Sequence, residues 1–280
     1  MKFTERVLRA HSSLRVVGIA ALLVLTASAG KGQNLVADGV FASSLEAWHH
    51  DIVAGGSSAW SPGSFFRTSV QLVNPSSDPI SGHFVFHPAG APASPGDPTM
   101  GYALAPGQSF AWHDVVAAMG RSGLGSIDVY AAGGDTPVVL SRIFDHAGSE
   151  GTSGFTEPVV LTGDVPGGPG VGVSGFLLCP ADVSRFRYNV GVRTLPAAVA
   201  VTVTVLDPAG TAVHTATRDY PPNFFQQSAV ADFLDGFVIG NGHSLRITFT
   251  GGPLIVYGAT VDNTTNDPSA QWMSYLFQIS

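Results

Sequence analysis

SFFRTSVQLVNPSSDPISGHFVFHPAG, from Ser64 to Gly90, returns 120 residues later as SRFRYNVGVRTLPAAVAVTVTVLDPAG, from Ser184 to Gly210. The two stretches align without a gap and agree at eight of 27 positions: Ser64/Ser184, Phe66/Phe186, Arg67/Arg187, Val70/Val190, Val85/Val205, Pro88/Pro208, Ala89/Ala209 and Gly90/Gly210. Self-similarity on this scale marks one folding unit present twice. Each copy reads as a β-hairpin. In the first, Thr68 to Val73 alternates as a strand, and Asn74-Pro-Ser-Ser-Asp-Pro79 is built of turn formers. Ser81 to His87 then returns, with Phe84 and Phe86 on one face and His83, Val85 and His87 on the other.

A second matched block follows in order. Gln108 to Val129 aligns with Gln226 to Ile247 at an offset of 118, pairing Asp114 with Asp232, Ser126 with Ser244 and Ile127 with Leu245. Val115 to Met119 and Ala229 to Leu234 read as one short helix per copy. Each copy closes on a hairpin that turns at a glycine pair, Gly133-Gly134 and Gly251-Gly252. The runs Val138-Val-Leu140 and Leu254-Ile-Val256 are continuously apolar, which suits strands covered on both faces. The expected division is a signal peptide over 1–29, a short lead or linker over 30–62, a first β-sandwich over 63–161, a Gly/Pro linker over 162–172 and a second β-sandwich over 173–280. The chain is therefore expected to be all-β: two tandem antiparallel β-sandwiches, each with one short helix.

Composition agrees. Gly 34, Pro 19 and only 12% charged residues suit many short strands joined by tight turns. Lys2, Arg6, Arg9 and Arg15, the apolar run Val16 to Leu25 and Ala27-Ser28-Ala29 form the three parts of a secretory signal. The apolar run is shorter than the ~20 residues that span a bilayer, so no membrane span is expected after cleavage. Losing this segment changes the balance from 13 basic and 20 acidic residues to 9 and 19, and Lys31 becomes the last lysine. A nucleic-acid partner, which needs a basic face, is not expected. Cys179 is the one cysteine, so no internal disulfide can form, and its apolar neighbours make it a small buried hydrophobe.

Gly63-Ser-Phe-Phe-Arg-Thr68 leading to Gln71-Leu-Val-Asn-Pro75, and Gly252-Pro-Leu-Ile-Val-Tyr257 leading to Val261-Asp-Asn-Thr-Thr-Asn-Asp-Pro268, resemble paired Ig-like β-sandwich modules of secreted multidomain bacterial proteins. The resemblance covers about residues 60–275 and implies two tandem Ig-like sandwiches with an accessory, extracellular, non-catalytic role. It carries no catalytic residues. The lead Asn34 to Phe41, followed by Leu45 to Trp48, resembles the opening strand of secreted carbohydrate-binding jelly rolls, over one or two strands only.

Candidates for chemistry are few. Asp262, Asn263, Asn266 and Asp267 gather four oxygen-bearing side chains in six residues, a composition that suits calcium. Asx-rich turns also form without metal, because Asn and Asp bond their own backbone. No other cofactor is expected. His83 and His87 share a strand face and read as solvated, and His49, His50 and Asp51 are neighbours, but zinc needs three or four converging ligands. Asp145, His146 and Ser153 have the composition of a triad, but all sit in one loop and no nucleophile elbow is present. Asp145, His146 and Glu150 hold the place in the first half equivalent to the calcium candidates. Asp114 before a short helix reads as an N-cap, and Asp232 as a first-turn residue. Arg67 and Arg187 are placed to pair with an acid on a sheet. Trp48, Trp60, Trp112 and Trp272 are spread too widely for an obvious sugar platform. Asn263-Thr-Thr265 fits a glycosylation sequon. The expectation is a secreted or cell-surface, monomeric, non-catalytic structural or interaction module whose partner is a protein or glycan at the cell surface. Carbohydrate binding is the alternative, and support for a hydrolase is generic.

Overall fold

The computed structural model describes residues 46–54 as main chain, and residues 65–146, 153–157 and 159–275 in full. The signal segment 1–29, most of the 30–62 lead, Trp60 and Glu150 lie outside the described residues, as do the side chains of Trp48, His49, His50 and Asp51. The fold is all-β, built of antiparallel sheets. No described helix is long and apolar enough to cross a membrane.

The first half contains β1 (Glu46–Ala54), β2 (Phe66–Val73), β3 (Ile80–Pro88), β4 (Thr99–Leu104), β5 (Ser109–Trp112), α1 (Val115–Ala118), β6 (Gly125–Ala132), β7 (Val138–Asp145) and β8 (Gly154–Glu157). It forms two sheets, ordered β1-β6-β3-β4 and β5-β2-β7-β8. After a 3-10 turn at Thr162–Asp164 come β9 (Gly168–Leu178), β10 (Phe186–Thr194), β11 (Val199–Leu206), β12 (Ala212–Tyr220), β13 (Phe225–Ala229), α2 (Val230–Phe233), β14 (Ser244–Gly251), β15 (Leu254–Asp262), β16 (Pro268–Trp272) and β17 (Ser274–Tyr275). Their sheets are ordered β12-β11-β14-β9-β17 and β13-β10-β15-β16. Strand for strand this order repeats that of the first half, with β9 in the place of β1 and β17 added at the edge.

Two strands arise where the sequence suggests connecting chain. β1 lies in the lead and pairs with β6 through a bulge at His49 and Asp51. β9 begins at Gly168, inside the stretch read as linker, and pairs with β14 over Val173 to Leu178 and again at Gly168, with an irregularity between. Gly168-Pro-Gly-Val-Gly lacks an apolar alternation because its side chains add little to the core.

In each half the two sheets enclose one core. Val70, Leu72, Ile80, Phe84, Phe86, Leu104, Val115, Ile127 and Val139 fill the first. The second draws on Leu177, Val190, Val192, Val201, Val203, Val205, Leu245, Ile247, Phe249 and Val256. The Asp114 carboxylate accepts the Ala117 N–H at 3.0 Å and caps α1. Asp232 falls in the first turn of α2, whose N-cap Ala229 has no side-chain bond.

The gapless alignment fails in one place. Ile80 and Val199 open β3 and β11 on the core side, an offset of 119 and not 120. A one-residue slip carries every side chain to the opposite face. So the core partner of Val205, fully buried, is Phe86, while Val85 points outward and is half-buried. The Val85/Val205 identity is coincidental. The extra residue lies between Val205 and Pro208, where β11 ends, since one residue separates Phe86 from Pro88 and two separate Val205 from Pro208. Pro88-Ala89-Gly90 and Pro208-Ala209-Gly210 are thereby back in step, with φ of 84° at Gly90 and 82° at Gly210.

Candidate functional site

Among the described residues, a buried grouping of charged side chains lies where the two halves meet. One end of the first half stands on the outer face of the β13-β10-β15-β16 sheet. The turn after β3 supplies Ala89, which with Leu124 packs against Phe225 and Tyr257. The Gly90 N–H donates to the Phe225 carbonyl at 2.8 Å, and Ala93 N–H to that of Asn223 at 2.7 Å. Beside them Phe66 and Ile143 pack on Val261. Val160 and Val165 cover Leu195 and Ile255. The outer face of this sheet is therefore interior, and Ile255 and Tyr257 are each 2% exposed. Tyr257 lies flat over Gly191 on the neighbouring strand, where a Cβ would meet its ring at 1.9 Å.

Four ionisable groups are sealed into this contact. His87, at the end of β3, turns Nδ1 to Asp97 at 2.6 Å and Nε2 to Asp128 at 3.0 Å. Arg193, on β10 of the other half, donates from its guanidinium to Asp128 at 2.9 Å. Arg193 is 2% exposed and His87 is 6% exposed. A neutral imidazole has one N–H, so it donates to one carboxylate and not to two. Both ring nitrogens here face carboxylate oxygens, which is the geometry of an imidazolium. Burial pushes the His87 pKa down, but the bond to Asp128 and its charge, helped by Asp97, outweigh burial and the opposing charge of Arg193. The result lies above the ordinary 6.5. Two carboxylates then balance an imidazolium and a guanidinium. Removing one member of such a buried set costs about 3–5 kcal/mol.

A second buried acid lies near this contact. Glu157, at the end of β8, is 1% exposed, and its Oε2 has no hydrogen-bond partner. Burial raises its pKa well above the ordinary range. Its charge in turn adds to the burial that holds the Tyr257 phenol up.

The expected calcium ligands fall in the turn between β15 and β16. Asp262 Oδ1 accepts the N–H groups of Thr264 at 2.7 Å and Thr265 at 3.2 Å, and its Oδ2 pairs with Arg185 Nε at 2.8 Å. The Thr264 N–H first, then Arg185, hold this carboxyl below its usual pKa. Asn263 and Asn266 both accept from the Arg187 guanidinium, at 3.4 and 3.0 Å. Asp267 N–H donates to Thr265 Oγ1 at 3.3 Å. Two guanidinium groups stand beside these oxygens. Among the described residues no group of three or more His, Cys, Asp or Glu is arranged to hold a metal ion.

Other candidates are dispersed. His83 stacks on Tyr130 with ring centroids 4.9 Å apart, while His87 is buried; the two are not the solvated pair that their shared strand face suggests. Asp145 Oδ1 accepts the Phe65 N–H at 2.8 Å, and His146 packs edge-on against Phe144. Arg67 pairs with Asp114 at 3.7 Å. Trp112 packs on Phe84, and Trp272 tilts against Tyr257. Trp272 also lines an apolar pocket of about 210 Å³ with Val160, Val165, Ile255 and Tyr275. Burial pushes the Cys179 thiol up to about 12, in keeping with an inert core residue.

Asp97, Asp128 and Arg193 escaped sequence reasoning. For Asp128 and Arg193 the only signal is a charge on an otherwise apolar strand, and Asp97 lies in the loop between β3 and β4. The two strand positions become interior once the other half covers them.

No protein-family model matches the chain, and no curated protein matches it. Among solved structures, similarity extends to a Thermotoga maritima protein described as Thermotoga maritima 1070, at 11% identity and a TM-score of 0.29 over 40% of this chain and 96% of that one. The serine-rich repeat protein Srr2 of Streptococcus agalactiae matches at 9% identity and a TM-score of 0.17, over 84% of this chain and 94% of that one. A lectin of Pleurotus ostreatus in complex with GalNAc gives 9% and 0.17, over 83% and 85%. At such TM-scores these likenesses carry no argument about this chain.

Proposed function

We propose that the chain is a secreted or cell-surface, non-catalytic structural and interaction module made of two tandem Ig-like β-sandwiches joined into one body. The observation that supports this reading is the use made of the ionisable side chains. His87, Asp97, Asp128 and Arg193 are buried against one another at the junction, so they brace two sheets and do not line a cleft. The faces and turns around them present a surface to another protein outside the cell. Fractionating cells that express the full chain, with a glycan-array screen of the secreted product, tests it. The expected result is protein in the medium or at the surface, and a silent array. Retention in the cytoplasm would overturn the location, and a reproducible glycan signal would replace the structural reading with sugar binding.

A further inference from the structure

Each copy of the duplicated unit carries a face and an end. The face is the outer side of the sheet holding β2 and β7, or β10 and β15. The end is formed by the turn after β3 or β11 and the loop after the short helix. At the junction the end of the first half covers the face of the second. Among the described residues nothing covers the face of the first half or the end of the second half.

Both uncovered parts carry exposed apolar side chains. Leu140 and Val138 pair with Gln71 and Val73 on β2 as Tyr257 and Ile255 pair with Gly191 and Arg193 on β10. Tyr257 and Ile255 are buried, whereas Leu140 is 52% and Val138 42% exposed. At the other extremity, Pro208-Ala209-Gly210 repeats the docked turn Pro88-Ala89-Gly90 residue for residue and is exposed. Leu178 at the end of β9, Val213 at the start of β12 and Val238 in the loop after α2 surround it, with exposures of 62%, 42% and 78%. Exposed apolar patches of this kind mark interaction sites.

We infer that copies of this chain associate head to tail: the end of one copy's second half docks on the β5-β2-β7-β8 face of the next. The occupant is a second copy because that chain carries the same docking turn that already covers the equivalent face within the molecule. The new contact is an apolar version of the internal one. Val73 stands where Arg193 stands, and the docking turn is a short hairpin without the Ala91–Pro98 extension. Such a contact uses two different surfaces, so it does not close on itself as a dimer and instead builds rows. The inference rests on the two-module reading proposed above, and not on where the protein is located.

Sedimentation velocity of the full chain over a range of concentrations tests this. The expected result is an average size that keeps growing with concentration without stopping at the dimer. Leu140→Glu and Val238→Glu, both at exposed positions, should each abolish that growth and leave the melting temperature unchanged. Mixed together, they should give one heterodimer, because one variant keeps an intact end and the other an intact face. A wild-type chain that stays monomeric, or growth that Leu140→Glu leaves untouched, would overturn the inference. So would a dimer that mixing fails to restore, which would mean face-to-face pairing. A monomer whose melting temperature falls on Leu140→Glu would assign the face to the chain's own residues. None of these results bears on the fractionation or the glycan array, so the two proposals fail separately.

Discussion

β7 and β15 are the same strand in two copies, and they live in different surroundings. Both open on an apolar run, Val138-Val-Leu140 and Leu254-Ile-Val256. In β15 all three residues are buried on both faces of the sheet. In β7 only Val139 is buried, and its neighbours face outward uncovered. The strand chemistry is alike, so the difference lies in what packs on top. Covering also changes which residues the face tolerates. The covered sheet carries Arg193, Gly191 and Tyr257, a fitted set that includes a buried charge. The uncovered one carries Val73, Gln71 and Leu140, which pack on nothing specific. The buried charge set of His87, Asp128 and Arg193 is thus a product of the docking of one half on the other.

Substitutions at matched positions break or sharpen this contrast. The largest effect is expected at the buried cation. Arg193→Leu removes the guanidinium from the buried charge set, leaving Asp128 with His87 and the Tyr130 hydroxyl, and should cost about 3–5 kcal/mol in denaturant unfolding, against less than about 1 kcal/mol for Val73→Ala. Equal costs would mean that the two faces are equivalent. Next, Tyr257→Ala should cost about 3 kcal/mol and Leu140→Ala under about 1 kcal/mol, because only the first opens a cavity. Both are read by the shift in urea midpoint at constant slope.

The pH dependence is a smaller effect. The folded His87 has a pKa raised above 6.5. Its contribution is therefore fully present below about 6.5 and is lost as pH rises through the folded value. Melting temperature should fall on going from mildly acidic to alkaline buffer. His87→Gln should be less stable in acid and should flatten that slope. An unchanged slope would remove the imidazolium from the account. Glu157 acts with the same sign from a lower starting point. Its folded pKa lies above the ordinary 4.5, so its contribution is present below that and is lost as pH climbs. Glu157→Gln should melt at or above wild type at neutral pH and converge with it in acid. The smallest effect is expected from calcium. Titration should leave the melting temperature where it is, because Arg185 and Arg187 already satisfy Asp262, Asn263 and Asn266. A rise at millimolar calcium would give the loop to the metal.

Much of the fold was legible in the sequence because strand alternation and turn residues are local. Both short helices and the Asp114 cap followed from spacing alone, but the expected hairpins did not form: β2 and β3, β6 and β7, β10 and β11, and β14 and β15 lie in different sheets, so these turns carry the chain from one sheet to the other. The start of β9 was not legible, since Gly168-Pro-Gly-Val-Gly has no face to alternate and only its Gly168 pairs with β14, whereas β1 overlaps the Leu45 to Trp48 stretch that resembles an opening strand. The one-residue slip in β11 was hidden by the chance match of Val85 with Val205. The charged junction was the least legible part. His87 reads as a solvated strand residue until the partner surface bearing Arg193 is known, and that surface lies over a hundred residues away.

The central claim is that the two halves form one cooperative body through the covered face of the β13-β10-β15-β16 sheet. Differential scanning calorimetry of the full chain tests it most directly. The account predicts a single transition with equal calorimetric and van't Hoff enthalpies. Two separate transitions in the unsubstituted protein would contradict it.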